Sequence, residues 1–183
     1  MEKKAFSTKT VVATAIGAAL FFVIARFIYI PSGISNTNIS LQYAVLSFIC
    51  ALFGPVAGAL TGLIGHTLTD LSYGSVWWSW AIGSGVHGLI AGLVAKKLSL
   101  NKGSFEKKDV LTYVLYNLVA CVVAWVIVAP IGDIVIYAEE PTKVFVQGVF
   151  AASSNFVIST VIGGLLCLGY TKTIAKEGSL DKE

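Results

Sequence analysis

Six apolar runs set the terms on which this chain can fold. They fall at residues 10–28, 41–53, 56–71, 78–98, 110–131 and 144–170. A helix needs roughly 20 apolar residues to cross a bilayer, within a range of about 17–25. The first, fourth, fifth and sixth runs reach that length alone. The second and third are shorter and are separated only by Gly54-Pro55, which reads as the turn of a tight helical hairpin. Of the 183 residues, 56% are hydrophobic and 13% charged, whereas soluble domains carry about 25% charged residues. Mean hydropathy is +0.80. Too few charges exist to cover a water-facing surface, so most of the chain's solvent is lipid. The expected fold is all-α, a single polytopic membrane domain over residues 1–183 with six transmembrane helices.

The basic residues orient those helices. With both termini cytoplasmic, the inner segments hold Lys3, Lys4, Lys9, Lys96, Lys97, Lys102, Lys107, Lys108, Lys172, Lys176 and Lys182, and the outer ones only Arg26 and Lys143. Eleven against two obeys the positive-inside rule. Six spans also return the C-terminus to the side of the N-terminus. The first run is too long for a signal-peptide core and five more follow it, so it is read as an uncleaved helix. Cys50, Cys121 and Cys167 fall inside spans with no CxxC pair, and are expected to be small buried apolar residues without a metal or disulfide role.

Small residues recur four apart along the spans, as in Gly58 and Gly62, Gly88 and Gly92, and Ala15 and Ala19. That spacing lines one helix face and lets another backbone approach closely. On the first helix they extend further round, through Ala13, Gly17 and Ala18, so one of its faces is expected to be kept for another protein. No G-x-x-x-x-G-K-[ST] segment is present to cradle nucleotide phosphates. Uphill transport would therefore draw on an ion gradient or a partner.

An ionisable group within a bilayer marks a functional site by default. His66 falls one to two turns below the outer surface at about 1.5 Å per residue, with Asp70 four residues on and on the same helix face. They read either as a structural pair pinning the helix end or as part of a site. Trp77 and Trp78 read either as an interfacial belt with Trp80 or, beside Tyr73, as walls for a flat ligand. His87 lies near the midplane, where it either bonds a neighbouring helix or serves a site. Asn117, deeper, is expected to bond between helices. Asn36, Asn38, Gln42, Trp125, Asp133, Gln147 and Asn155 share the outer half of the molecule. The reading is one outward-facing polar pocket roofed by loops at residues 31–40, 72–77 and 132–143.

NTNISLQYA, GHTLTDLSYGSVWWSWAI and AWVIVAPIGDIVIYAEEPTKVFVQG resemble the substrate-binding S components of energy-coupling-factor (ECF) vitamin transporters. Their branch is labelled ECF-type riboflavin transporter S component and includes proteins predicted to carry hydroxymethylpyrimidine. The resemblance runs from about Ser7 to KEGSL near the C-terminus. It implies a non-enzymatic subunit of a multi-pass bacterial plasma membrane protein complex, without cofactor, metal or nucleic acid. Such a subunit captures one vitamin at the outer face and docks on a transmembrane coupling protein with two cytoplasmic ATPases. It further implies a docking motif at Ala15 and Ala19 and a lid at residues 31–40. The competing reading is a proton-coupled secondary transporter using His66, Asp70 and His87, although inverted repeats and a midplane carboxylate are missing. A membrane enzyme would need a nucleophile or metal constellation that the sequence lacks. Arg26 is the lone outer cation considered for a ligand, so a polyanion is disfavoured and a small aromatic heterocycle such as hydroxymethylpyrimidine, riboflavin or a pyridoxine-like compound fits best.

Overall fold

The computed structural model describes residues 7–174. Lys3, Lys4, Lys176 and Lys182 of the charge count, and the whole KEGSL stretch, lie outside them. Six helices follow the six apolar runs. They are α1 (Thr8–Phe27), α2 (Gln42–Phe53), α3 (Pro55–Leu71), α4 (Trp78–Lys96), α5 (Lys107–Tyr137) and α6 (Pro141–Thr173). Of these, α1, α4, α5 and α6 are long and apolar enough to cross a membrane, with 20, 19, 31 and 33 residues. Their outward faces carry large apolar side chains, among them Leu111 at 61% exposure, Val135 at 76% and Leu165 at 60%. Continuous apolar exposure on this scale suits hydrocarbon and not water.

Between α2 and α3, Gly54 adopts φ +86°, and Pro55 opens the next helix. Glycine reaches that left-handed backbone without a Cβ penalty, and proline is preset for the first helical turn. The two helices that follow the turn, α3 and α4, are held together by backbone. A Cβ placed on Gly58 would meet the carbonyl of Gly88, and one on Gly88 would meet the carbonyl of Gly58. A Cβ on Gly62 would meet the Ser84 carbonyl in the same way. This contact sets the depth at which residues of α3 face residues of α4.

Two departures from the expected all-α plan bear on the site. Residues 31–40 are not a plain loop, because Tyr29–Pro31 (β1) pairs antiparallel with Asn38–Ser40 (β2), with Ile30 opposite Ile39. Pro31 and Gly33, the latter at φ +79°, break a helix here, and extended pairing satisfies the backbone instead. The second departure is the length of α5. The fifth span was expected to stop at residue 131 with a loop over 132–143, but the helix runs on to Tyr137 and α6 begins at Pro141. Pro130 sits inside α5, where a preceding π-helical stretch, Val122–Val128, opens the spiral and accommodates a ring without an N–H. Only Ala138, Glu139 and Glu140 remain as connection. Glu140 caps α6, its carboxylate accepting the N–H groups of Lys143 and Thr142 at 2.6 and 2.8 Å. Those two bonds hold its carboxyl below the usual range, so the cap persists at neutral pH and is lost as pH falls through that lowered value.

Replacing Gly88 with alanine should force α3 and α4 apart and lower the detergent melting temperature by the equivalent of about 1–3 kcal/mol. Gly169→Ala is the control, since a Cβ there meets nothing within 4 Å. Equal melting of both variants in a fluorescence scan would show that the glycine contact does not hold the bundle.

Candidate functional site

At the end of the bundle that carries the β-hairpin, the helices leave a cavity of about 490 Å³. Every helix contributes to its wall. Phe21 and Ala25 come from α1, Gln42 and Tyr43 from α2, His66, Thr69 and Asp70 from α3, Trp80 from α4, Asp133 from α5, and Gln147, Ala151 and Asn155 from α6. The hairpin adds Asn36, Thr37, Asn38 and Ser40, and the connection between α3 and α4 adds Tyr73, Ser75 and Trp77.

Asp133 organises this wall. Its side chain is buried, and Trp77 Nε1 donates to Oδ1 at 2.6 Å while Trp80 Nε1 donates to Oδ2 at 2.8 Å. The Ser79 hydroxyl donates to Oδ1 as well. Trp77 and Trp80 are three apart at the start of α4, which places both on one helix face. Gly132 lets α5 come close enough for the bonds to form, since a Cβ there would lie 2.7 Å from Ser79 Cβ. Trp77 then stacks on Tyr137, with centroids 4.1 Å apart, and Trp80 on Trp125 at 5.5 Å. Two indoles are thereby held as fixed aromatic walls. Asp70 secures the same segment from α3, its Oδ2 accepting the Trp77 backbone N–H at 2.9 Å.

A second set of bonds runs inward from Asp70. His66 Nε2 lies 3.5 Å from Asp70 Oδ1, His66 Nδ1 lies 2.5 Å from Ser84 Oγ, and Ser84 Oγ lies 2.9 Å from Tyr43 Oη. With the proton on Nε2 facing the carboxylate, Nδ1 accepts from Ser84, whose oxygen accepts from Tyr43. Above the cavity, Gln147 Nε2 donates to the Ser35 carbonyl at 2.7 Å, tying the hairpin segment to α6. At the mouth, Lys143 and Glu139 form an ion pair at 2.5 Å.

Of the residues singled out in the sequence, Asn36, Asn38, Gln42, His66, Asp70, Tyr73, Trp77, Asp133, Gln147 and Asn155 line this one cavity. Trp78, His87 and Trp125 do not. Trp78 is one residue round the helix from Trp77 and points outward at 48% exposure, its backbone N–H donating to Tyr137 Oη. His87 and Trp125 are fully buried and pack on Tyr43, with centroids at 5.4 and 5.3 Å. Tyr43, which does line the cavity, occupies the place they were expected to share. Arg26 is likewise spent elsewhere, its guanidinium 4.4 Å from the Tyr73 ring centroid, and Lys143 is the cation at the cavity. Asn117 bonds the Tyr113 carbonyl of its own helix at 3.0 Å, not a neighbouring helix. Tyr43, Trp80 and Thr69 were missed. Trp80 was legible from its spacing of three with Trp77, and Tyr43 from its place beside Gln42. Ala15 and Ala19 are exposed on α1, opposite the Gly17 and Ala18 face that is buried.

An apolar helical bundle that encloses a polar, aromatic-walled cavity at one end is a membrane-embedded small-molecule-binding protein. The chain belongs to the family described as ECF-type riboflavin transporter, S component, whose model matches residues 5–172. A UPF0397 protein of Enterococcus faecalis is 47% identical over 182 residues, covering 99% of this chain and 100% of its own. One from an Exiguobacterium species is 48% identical over 179 residues, covering 97% and 98%. One from Staphylococcus aureus is 45% identical over 184 residues, covering 100% of each. Among solved structures, a crystal structure of FolT bound with folic acid matches with a TM-score of 0.61 at 16% identity, over 88% of this chain and 98% of that one. That likeness is one of fold.

Asp133→Ala should strand two indole N–H groups and a hydroxyl, at a cost of about 1–3 kcal/mol for each donor that water cannot reach. The melting temperature should fall and the tryptophan emission shift, with Asp133→Asn recovering part of both. Unchanged emission in Asp133→Ala would mean that the indoles are positioned by something other than this carboxylate.

Proposed function

We propose that this protein is the substrate-specific subunit of an ECF-type importer, capturing a vitamin or vitamin precursor at the outer face and delivering it inward through a shared ATPase module. The observation that carries this reading is the aromatic-walled cavity that opens at the hairpin end. The lysines of residues 96–108 and Lys172 lie at the opposite end of the helices, which supports six spans with both termini cytoplasmic and the cavity facing out. Family membership supports the partnership with a coupling protein and two ATPases. In this reading residues 1–183 form one domain, the hairpin segment is the lid, and Gln147 latches it. Trp77 and Trp80 sandwich or flank a ring ligand, and Ala15 and Ala19 leave an open face on α1 for the coupling protein. The subunit itself performs no catalysis.

A proton relay through His66, Asp70 and His87 is the weaker reading. The bonded path from Asp70 ends at Tyr43, and His87 Nε2 has no partner among the described residues.

Ala15→Trp together with Ala19→Trp should abolish ATP-dependent uptake in cells that express all subunits, while the isolated protein still binds its vitamin. Normal uptake by the double variant would remove α1 as the docking face. Trp77→Ala should weaken vitamin binding about tenfold through lost stacking and burial, measured by titration of the purified subunit. Uptake that does not depend on co-expressed ATPase subunits would overturn the importer assignment.

A further inference from the structure

The polar groups that line the cavity divide into two sets. The charged set is already engaged by the protein. Asp133 accepts from Trp77, Ser79 and Trp80, and Asp70 accepts from the Trp77 backbone and faces His66. Glu139 holds Lys143. Both ring nitrogens of His66 have neighbours, Ser84 on one side and Asp70 on the other. Three carboxylates therefore line the cavity with one ammonium, and that ammonium is paired.

The second set is uncharged and idle. Gln42, Asn155, Asn36 and Asn38 line the cavity, and none of their side-chain amides makes a hydrogen bond among the described residues. Gln42 Oε1 is enclosed as well as unpartnered. Buried amide oxygens are nearly always bonded, because leaving one unmet forfeits its hydration without return. Here the enclosed oxygen is that of Gln42 on α2. Asn155 on α6 is a buried residue whose unbonded amide opens on the cavity, and Asn36 and Asn38, in the hairpin segment above, are exposed. A carboxamide offers one acceptor and two donors, so this set matches a ligand edge of alternating donors and acceptors and has no means of neutralising a charge.

Resting on the vitamin-binding reading above, we infer that the cavity selects an uncharged, flat nitrogen heterocycle, whose polar edge is read by Gln42 and Asn155 and covered by Asn36 and Asn38. The same lining rejects phosphorylated and carboxylated forms of that heterocycle. An anion entering the cavity would meet Asp70 and Glu139 without a free cation to pair with, and burying a charge unpaired is strongly unfavourable.

The test uses the intact protein in lipid nanodiscs, titrated with matched pairs and read by tryptophan fluorescence and calorimetry. The pairs are hydroxymethylpyrimidine and its monophosphate, pyridoxine and its 5′-phosphate, and riboflavin and flavin mononucleotide, with folic acid as a carboxylated probe. One neutral member should bind, with its phosphorylated partner at least about 100-fold weaker. Gln42→Ala and Asn155→Ala should each weaken that neutral ligand about tenfold or more without lowering the melting temperature of the unliganded protein, since neither amide has a partner to lose. Glu139→Gln should narrow the gap between the neutral and phosphorylated forms. Equal or tighter binding of a phosphorylated form or of folic acid overturns the inference. So does failure of every neutral member to bind, or unchanged affinity in both amide variants. Uptake independent of the ATPase subunits would overturn the importer reading while leaving a measured preference for the neutral form intact.

Discussion

A carboxylate enclosed by apolar helices must find its donors within the protein, and Asp133 finds two indoles and a hydroxyl. That requirement joins α5 to the start of α4 and fixes the aromatic wall of the cavity. It also explains why α5 continues past Pro130. Were the helix to stop at residue 131, Asp133 would sit in a solvated loop with no need of tryptophan, and the indoles would be free to turn toward the bilayer surface. Trp78, which has no such partner, does turn outward.

The deeper half of the site depends on a different contact. Close approach of α3 and α4 through Gly58, Gly62 and Gly88 brings Ser84 within reach of His66. Side chains at those three positions would hold the backbones apart and sever the link from His66 to Ser84 and Tyr43. Small residues thus shape the cavity indirectly. They let polar groups from separate helices meet in a medium where an unmet group has no water to turn to.

Taken together, the two contacts leave the cavity with rigid rings, engaged charges and unengaged amides. Its preorganised parts are those bonded to the protein, and the groups with hydrogen-bonding capacity left over are those that are not. The hairpin segment shares both characters, being tied to α6 through Gln147 and Ser35 while the side-chain amides of Asn36 and Asn38 remain unbonded.

The helices, their order and the turn at Gly54-Pro55 were legible in the sequence because each depends on local properties: apolar length, backbone-breaking residues and small-residue spacing. The gathering of polar residues at one end was legible for the same reason, since depth along a helix can be counted from its termini. What a local pattern does not encode is rotation about the helix axis relative to neighbours. Adjacent Trp77 and Trp78 look equivalent in sequence, yet one faces Asp133 and the other faces outward. His87 and Trp125 have the right depth but lie in the aromatic core, because Tyr43 from α2 takes the cavity face. The extension of α5 through Pro130 and the pairing of β1 with β2 were also decided by tertiary structure. In each case the deciding partner is distant in the chain, so only the packed bundle could say which group it meets.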